Sequence, residues 1–476
     1  MTTLPPPGPA RTGSVRARSV RAAPGYGAAV AVAGAGAARA GTSGAGVRIG
    51  VALLWAVGLG TTAVAPLFPH FTATTTDADL AAPLLGSGAL ALSQGVLLLV
   101  AGLAAVAVLL RLGTRATDGT VGALPGRHLA LAAAAFALGP VLSGLFGRHG
   151  GLVVTAAFAP LLFAALHLSP RLPFARVLRI LRVVLRCYVW GSLIAAVTAP
   201  AWAFLQPVAG ARSRDYLGLE WGQLMGLSPN PNLLGPLAAA AFLLEVAPVA
   251  RGRAWPVHAA TALTAVVLTQ SRTAWLCAGT VLLLHTAWRR VPARALLALL
   301  AAGAAGLLLL TTAPAQTALA QAATGRDYAQ LNGRTRAWSL AYAEFARDPL
   351  LGYGPGLFGP AHRRTLFGTA DSWIGQAHNQ LMQTLGDSGL IGLTGLLLLL
   401  TALVVQARRT SPATRGLSTA LVALLLVHCT SESPLRGLGG LSATVLLLTV
   451  VWCVLLHGST PAPPDQESPC PPPAQR

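Results

Sequence analysis

The chain contains no lysine; all 34 of its basic residues are arginine. Charge of either sign is scarce, at 10% of 476 residues against 54% hydrophobic, where a soluble domain carries about 25% charged residues. That scarcity excludes a soluble globular protein and leaves an all-α polytopic membrane protein. Acidic residues number only 14, so the formal net charge is +20. A charge of that size would suit a nucleic-acid binder, but the arginines stand in short clusters between apolar runs, the pattern of cytoplasmic loops under the positive-inside rule. No nucleic-acid partner is expected. With lysine absent throughout, an arginine at one position says nothing about a need for a guanidinium there. The five cysteines (Cys187, Cys277, Cys429, Cys453, Cys470) lack metal-ligand spacing. Four lie in or beside apolar runs and read as small hydrophobes, not as a disulfide framework. No Walker motif, dinucleotide fingerprint or HExxH helix occurs, and neither metal nor cofactor is expected.

Residues 1–46 are rich in Pro, Gly, Ala and Arg without helical periodicity and read as a disordered cytoplasmic tail. Arg16, Arg18 and Arg21 ahead of small residues mimic a signal peptide, but Ala28–Ala38 is too rich in Gly and Ala to serve as its apolar core, so cleavage is not expected. Residues 461–476 form a second, Pro-rich tail. Between them, residues 47–460 hold about twelve spans, each needing roughly 20 apolar residues to cross about 30 Å of hydrocarbon. They lie near 48–68, 89–110, 128–146, 151–168, 178–204, 233–250, 255–270, 273–288, 294–312, 389–406, 416–430 and 440–457. With the N-terminus inside, 23 arginines fall on inside segments and 11 outside. This predicts a multi-pass protein of the cytoplasmic membrane with both termini cytoplasmic. Arg171, Arg176, Arg179, Arg182 and Arg186 recur at helical spacing, a basic face for the anionic inner leaflet.

The outside arginines run against the trend, at Arg212/Arg214, Arg272, Arg334/Arg336 and Arg363/Arg364. Charge at membrane depth costs about 3 kcal/mol on insertion scales and usually marks function. One extracytoplasmic loop, 313–388, is far longer than an ordinary connection. Within it Asn332 suits the N-cap of a helix over 333–347, with Trp338, Ala341, Tyr342 and Phe345 on one stripe, lying on the membrane surface or capping a cavity. Asp348-Pro349 ends that helix and Gly352-Tyr353-Gly354-Pro355-Gly356 forms a turn cluster. Glu245, inside an apolar span, is either paired within the bundle or part of a proton path. Asp215 and Glu220 could orient an acceptor or His378.

Four short elements fall on the outer side of this topology. They are Pro229-Asn230-Pro231-Asn232-Leu233-Leu234-Gly235, Ser271-Arg272-Thr273, Gly333-Arg334-Thr335-Arg336-Ala337-Trp338, and Gln376-Ala377-His378-Asn379-Gln380 followed by Gly386, Gly389 and Gly392. Those glycines would permit close helix packing. In this order, with the long loop between them, the elements resemble the O-antigen ligase and polymerase superfamily of bacterial membrane glycosyltransferases over roughly residues 220–400. The resemblance implies transfer of a glycan from a polyprenyl (undecaprenyl) diphosphate carrier to an acceptor hydroxyl outside the cytoplasmic membrane, in cell-surface polysaccharide assembly. The acceptor would be a lipid, a wall component or another glycan, and neither metal nor nucleotide sugar is needed. It also implies that His378 is the base activating the acceptor, and that Arg272 and Arg334 hold the diphosphate. Asp387 stands where many members carry glutamate, a departure at that position.

The residue types suit that chemistry. A diphosphate leaving group gains negative charge as the anomeric bond breaks, and guanidinium forks stabilise it by bidentate hydrogen bonds. Arg334 opens the predicted loop helix, where unpaired backbone N–H groups also favour phosphate. An imidazole, ordinarily titrating at about 6.5, can accept a proton near neutral pH. Attack opposite the diphosphate would invert the anomeric centre. Around this core, Asn232 either caps its span or contacts ligand. Asn379 and Arg336 join the substrate-binding candidates, Arg336 equally as a solvated contact. Arg363 and Arg364 touch lipid headgroups or the acceptor, and His362 is the runner-up base. His258, His285, His428 and His457 are packed or interfacial. Ligase and polymerase remain two open subclasses. The alternative from another class is a transporter, either a flippase for lipid-linked glycans or a solute or bicarbonate carrier, which predicts repeated halves and paired charges near the midplane.

Overall fold

A computed structural model describes residues 44–67, 95–109, 126–149, 158–205, 217, 222–287, 334–359, 362, 375–436 and 440–458. In chain order its helices are α1 Gly44–Val64, α2 Gly95–Leu109, α3 Arg127–Phe146, α4 Phe158–Leu168, α5 Phe174–Thr198, α6 Pro231–Val246, α7 Trp255–Leu268, α8 Arg272–Ala287, α9 Arg334–Arg347, α10 Gln380–Thr410, α11 Leu417–Ser431 and α12 Ala443–His457. Eleven of the predicted spans overlap one of these helices, with bounds that differ by up to nine residues; 294–312 lies outside the described residues. α9 is the predicted loop helix; Asn332, its expected cap, also lies outside them.

The protein is an all-α membrane protein. Val47–Val64, α3, α5 and α10 are long and apolar enough to cross a membrane, and α2, α4, α6, α7, α11 and α12 are shorter apolar helices. Large apolar side chains stay exposed along the long helices, among them Leu131, Leu138 and Phe146 on α3, Ile194 and Val197 on α5, and Leu397 and Leu398 on α10. Exposed apolar surface on that scale needs lipid to cover it. The inner faces pack through small residues instead. A Cβ on Gly139 of α3 would lie 2.6 Å from the Gly392 Cα of α10, and one on Gly395 would lie 2.6 Å from the Ala135 carbonyl.

α6 runs through the middle of the bundle, against α5, α7, α8, α11 and α12. Its C-terminal carbonyls are gathered by Arg182 of α5, which donates to Leu244 (2.9 Å), Ala247 (3.0 Å) and Val249 (2.8 Å). A cation among the free carbonyls of a helix end is favourable both as a hydrogen-bond donor and against the helix dipole. One turn on, Arg186 grips Glu245 through two bonds of 2.7 and 2.8 Å. Glu245 is therefore paired within the bundle. The basic face predicted along α5 is correspondingly split: Arg182 and Arg186 turn inward, while Arg176 and Arg179 remain exposed.

Strand structure among the described residues is confined to β1 Phe204–Leu205 and β2 Gln223–Leu224, antiparallel with Phe204 opposite Leu224. This short pairing, with Tyr188 donating to the Leu227 carbonyl at 3.0 Å, holds the approach to α6 against α5. It places Gln223 where it meets the α7–α8 junction.

α10 begins nine residues before the predicted span and is broken at Gly389 (φ 56°, ψ −150°). The polar groups freed by the break are taken up by the turn after α9. Leu390 and Ile391 donate to the carbonyls of Pro349 (2.8 Å) and Leu350 (3.3 Å), and Tyr353 and Gly354 donate to those of Gly386 (2.8 Å) and Asp387 (3.1 Å). Ser143 of α3 donates to the Leu351 and Asp387 carbonyls at 2.6 and 2.7 Å. Gly389 is thus both a helix break and a close approach, a Cβ there lying 2.5 Å from the Leu350 carbonyl, and Gly386 makes a second close approach, its Cβ position lying 3.0 Å from the Ala341 Cα. α9 caps the N-terminal segment of α10. Ala337, Ala341, Tyr353, Leu357, Phe358, Ala377, Met382 and Leu385 form a small core of their own, with Trp338 and Phe345 against it.

Candidate active site

The site is built by four tight turns that bring segments far apart in sequence to one end of the bundle. The first is the start of α6. Asn230 is extended (φ −156°) and its side chain accepts from the Asn232 backbone N–H at 2.7 Å, with Pro231 in the first helical turn. Asn230, not Asn232, is therefore the cap. The Asn232 amide is left to bridge outward: its Oδ1 accepts from Ser271 Oγ at 2.8 Å and its Nδ2 donates to Glu432 Oε1 at 2.8 Å.

The second turn is Gln270-Ser271-Arg272. Gln270 is buried and sits in the left-handed region (φ 46°), a conformation a non-glycine residue adopts only when its surroundings impose it. Here they do: its Oε1 accepts from the Leu217 N–H (3.1 Å), its Nε2 donates to the Gly222 carbonyl (3.0 Å), and its own carbonyl accepts from Gln223 Nε2 (3.0 Å). Ser271 is thereby aimed at Asn232. Arg272, next in sequence, is the first residue of α8 and its side chain is exposed.

The third segment is the start of α9. Arg334 donates to the Ser431 carbonyl at 3.3 Å and lies 3.7 Å from Glu432 Oε1. Arg336, two residues on, is exposed. The fourth is the turn before α10. His378 also has positive φ (50°). Both neighbouring peptide groups are fixed: the Ala377 N–H donates to Gln383 Oε1 (2.9 Å) and its carbonyl accepts from Trp338 Nε1 (2.8 Å). Asn379 caps α10, accepting from the N–H groups of Leu381 (2.9 Å) and Met382 (3.1 Å), while its Nδ2 donates to the Thr430 carbonyl (2.9 Å). In this structure both ends of the Asn379 amide join helix ends. Asp387 accepts from Gln383 Nε2 at 2.6 Å, so it reaches the histidine turn through Gln383.

Three of these segments meet at Glu432, just beyond α11, and the Ser271 turn joins them through Asn232. His378 Nδ1 is 2.9 Å from Glu432 Oε2, and Gln376 Nε2 donates to the same oxygen at 2.7 Å. The carboxylate side chain is 2% exposed and the imidazole 19%. Gln380 Oε1 accepts from the Leu435 N–H at 2.7 Å, tying the glutamate's loop to α10. Burial alone would raise the Glu432 carboxyl. The hydrogen bond from His378 and the positive fields of His378, His428 and Arg334 outweigh it and hold the group below its ordinary value. The sign for stability follows from a depressed folded value: the contribution is fully present above the unfolded value of about 4.5 and is lost as pH falls through the folded one. Purified protein is therefore expected to lose thermal stability below about pH 4.5, and the gap between wild type and Glu432→Gln to close over the same range. Thermal midpoints measured from pH 3.5 to 7 check this, and a gap that widens on acidification would contradict it.

Of the residues predicted from sequence, Asn232, Arg334 and His378 converge on one carboxylate, and Arg272 follows a residue of the same network. Arg363, Arg364, Asp215 and Glu220 lie outside the described residues. His362, the runner-up base, stacks on Tyr353 (4.1 Å between ring centres), which stacks in turn on His149 (4.2 Å). Glu432 and Gln376 complete this cluster and are not among the candidates read from sequence. The available signal was a carboxylate at the end of an apolar run in a chain with only 14 acidic residues. Among the described residues no group of three or more His, Cys, Asp or Glu gathers as a metal site.

Residues 257–397 match the family model described as O-antigen ligase. That stretch runs from α7 into α10 and contains Ser271, Arg272, Arg334 and His378; Asn232 and Glu432 fall outside it. No curated protein matches the chain.

Proposed function

We propose that this O-antigen ligase-like membrane protein of polysaccharide assembly transfers a glycan from a polyprenyl diphosphate to an acceptor hydroxyl at the outer face of the cytoplasmic membrane. On this reading twelve spans put both termini in the cytoplasm and the end of the bundle holding His378 outside. The acceptor O–H loses its proton to His378 as its oxygen attacks the anomeric carbon. The bond from that carbon to the diphosphate oxygen breaks, the leaving diphosphate keeps the electron pair, and the anomeric centre inverts. Arg272 and Arg334 hold the growing negative charge, the work a metal ion performs in other transferases. Arg336, Arg363, Arg364, Asn232 and Asn379 are the proposed binding residues for donor and acceptor.

The observation that carries this reading is the convergence of Asn232, Arg334 and His378, from three separate segments, on the buried Glu432, with Ser271 from a fourth joined to it through Asn232. A packed histidine at a helix boundary would not need that assembly. The transporter alternative predicts repeated halves as well as paired charges; Glu245 and Arg186 do form a pair, but the sequence carries no internal repeat.

The test replaces His378 with Ala in the native host and profiles polyprenyl-linked glycans by mass spectrometry. Transfer predicts accumulation of carrier-linked glycan outside the membrane with the protein at its normal level; unchanged glycan product would sink the proposal. Product length divides the subclasses, since loss of long chains marks a polymerase and intact chains left on the carrier mark a ligase.

A further inference from the structure

We infer that Glu432 is the positioning residue of His378, fixing the tautomer of the imidazole, with Arg334 held loosely at the same carboxylate. The inference rests on His378 acting as the base. An ionised carboxylate can only accept hydrogen bonds. Its 2.9 Å contact therefore requires the proton on His378 Nδ1 and leaves Nε2 as the nitrogen able to take the acceptor's proton. When that transfer occurs, the imidazolium forms beside a negative charge already in place, the relation that orients and supports the histidine of serine hydrolases.

The surroundings of Glu432 fit this role better than a packing role. An apolar residue usually serves a buried position at least as well as a buried charge does, yet here the carboxylate is nearly inaccessible and is matched oxygen by oxygen. Gln376 and His378 donate to Oε2, and Asn232 donates to Oε1, itself fixed by Ser271. The charged and titratable groups facing it are His378, Arg334 and, one turn earlier on α11, His428. The guanidinium is the loosest of these partners, at 3.7 Å from Oε1, and it also donates to the Ser431 carbonyl. A diphosphate that draws Arg334 toward itself leaves more of the carboxylate's charge to the imidazole. Donor binding thus readies the base.

The test uses the full-length chain in host membranes, with the host's own lipid-linked glycan, extracted from cells in which it accumulates, as the donor probe. Glu432→Gln keeps the shape and removes the charge. It is expected to lower kcat by about 10²-fold or more, in keeping with the scale of positioned acid–base groups, while KM for the donor stays within about threefold. In a His378→Ala background the same substitution should change the residual rate by less than about twofold, because residues acting as a unit are not additive. Glu432→Asp, which keeps a carboxylate but withdraws it from Nδ1, is expected to lose about tenfold in the wild-type background and nothing beside His378→Ala. It serves as the test if the glutamine variant fails to fold. A full rate for Glu432→Gln, or an equal loss in both backgrounds, overturns the inference while leaving His378 as base. If His378→Ala itself transfers normally, the functional proposal falls first, and the two failures are told apart.

Discussion

A chain carrying His378→Asn is expected to lose transfer by a factor of about 10²–10⁴, the usual contribution of a positioned general base, while reaching the membrane at its normal level. Asparagine separates chemistry from folding at this position. Residue 378 lies at φ 50°, and asparagine is among the side chains that tolerate the left-handed region. Its amide nitrogen falls near the place of the imidazole Nδ1 and can donate to Glu432, so the buried carboxylate stays paired. What the amide cannot do is accept a proton near neutral pH. Alanine, by contrast, leaves Glu432 short of one donor and puts a methyl-bearing residue in a strained turn, at a cost of about 1–3 kcal/mol for each effect. Comparing the two variants therefore apportions any loss seen with alanine. The check is the initial rate of consumption of carrier-linked glycan in host membranes, with protein level measured alongside. A His378→Asn rate above roughly a tenth of wild type is incompatible with general-base catalysis on this scale.

The elements of this fold were legible where the physics is local. Apolar runs long enough to span gave the helices, and Trp338, Ala341 and Phe345 at helical spacing gave α9 and the face it buries. Asp348-Pro349 and the Gly352 cluster gave the turn that follows. Legibility ended where the outcome depends on which surface a segment meets. The spacing of Arg182 and Arg186 put both on one face of α5, but only the neighbouring end of α6 decides that this face meets Glu245 and free carbonyls instead of lipid headgroups. Asn232 reads from sequence as either a cap or a ligand contact, but Asn230, which precedes Pro231, takes the capping position. Gly386-Asp387-Ser388-Gly389 reads as a polar doorstep to a span. The helix nonetheless continues outward to Gln380, because Asn379 caps it and α9 covers it. Glu432 is the extreme case. Ser431-Glu432-Ser433-Pro434 looks like any membrane boundary, and its place at the centre of the site exists only once α6, α9 and the histidine turn have gathered around the end of α11.

The other large effect is expected from Gly352→Ala and Gly389→Ala, each of which should prevent most of the chain from reaching a folded state. Both glycines have positive φ (68° and 56°), and both stand where the turn after α9 crosses the break in α10. A Cβ on Gly389 would lie 2.5 Å from the carbonyl carbon and oxygen of Leu350; one on Gly352 would lie 2.6 Å from the Gly386 oxygen and 2.8 Å from the Gly389 nitrogen. These are backbone atoms and cannot rotate aside. Relief requires the two segments to part, which breaks hydrogen bonds such as Leu390 to Pro349 and Tyr353 to Gly386, both 2.8 Å. Each buried group left unpaired costs about 1–3 kcal/mol, and a strained backbone conformation about as much again. Several such terms together rival a total stability of roughly 5–15 kcal/mol. Gly356, whose Cβ would meet nothing within 4 Å, is the internal control, and Gly356→Ala is expected to behave as wild type. Size-exclusion profiles of the detergent-extracted variants distinguish the outcomes, and a monodisperse peak of normal height for Gly389→Ala would show that the crossing is dispensable. The consequence reaches the site because the same crossing joins α9, which begins at Arg334, to α10, which His378 precedes. Whatever fraction of either variant does fold should also transfer more slowly, since the turn that closes the break sets the distance between Arg334 and His378.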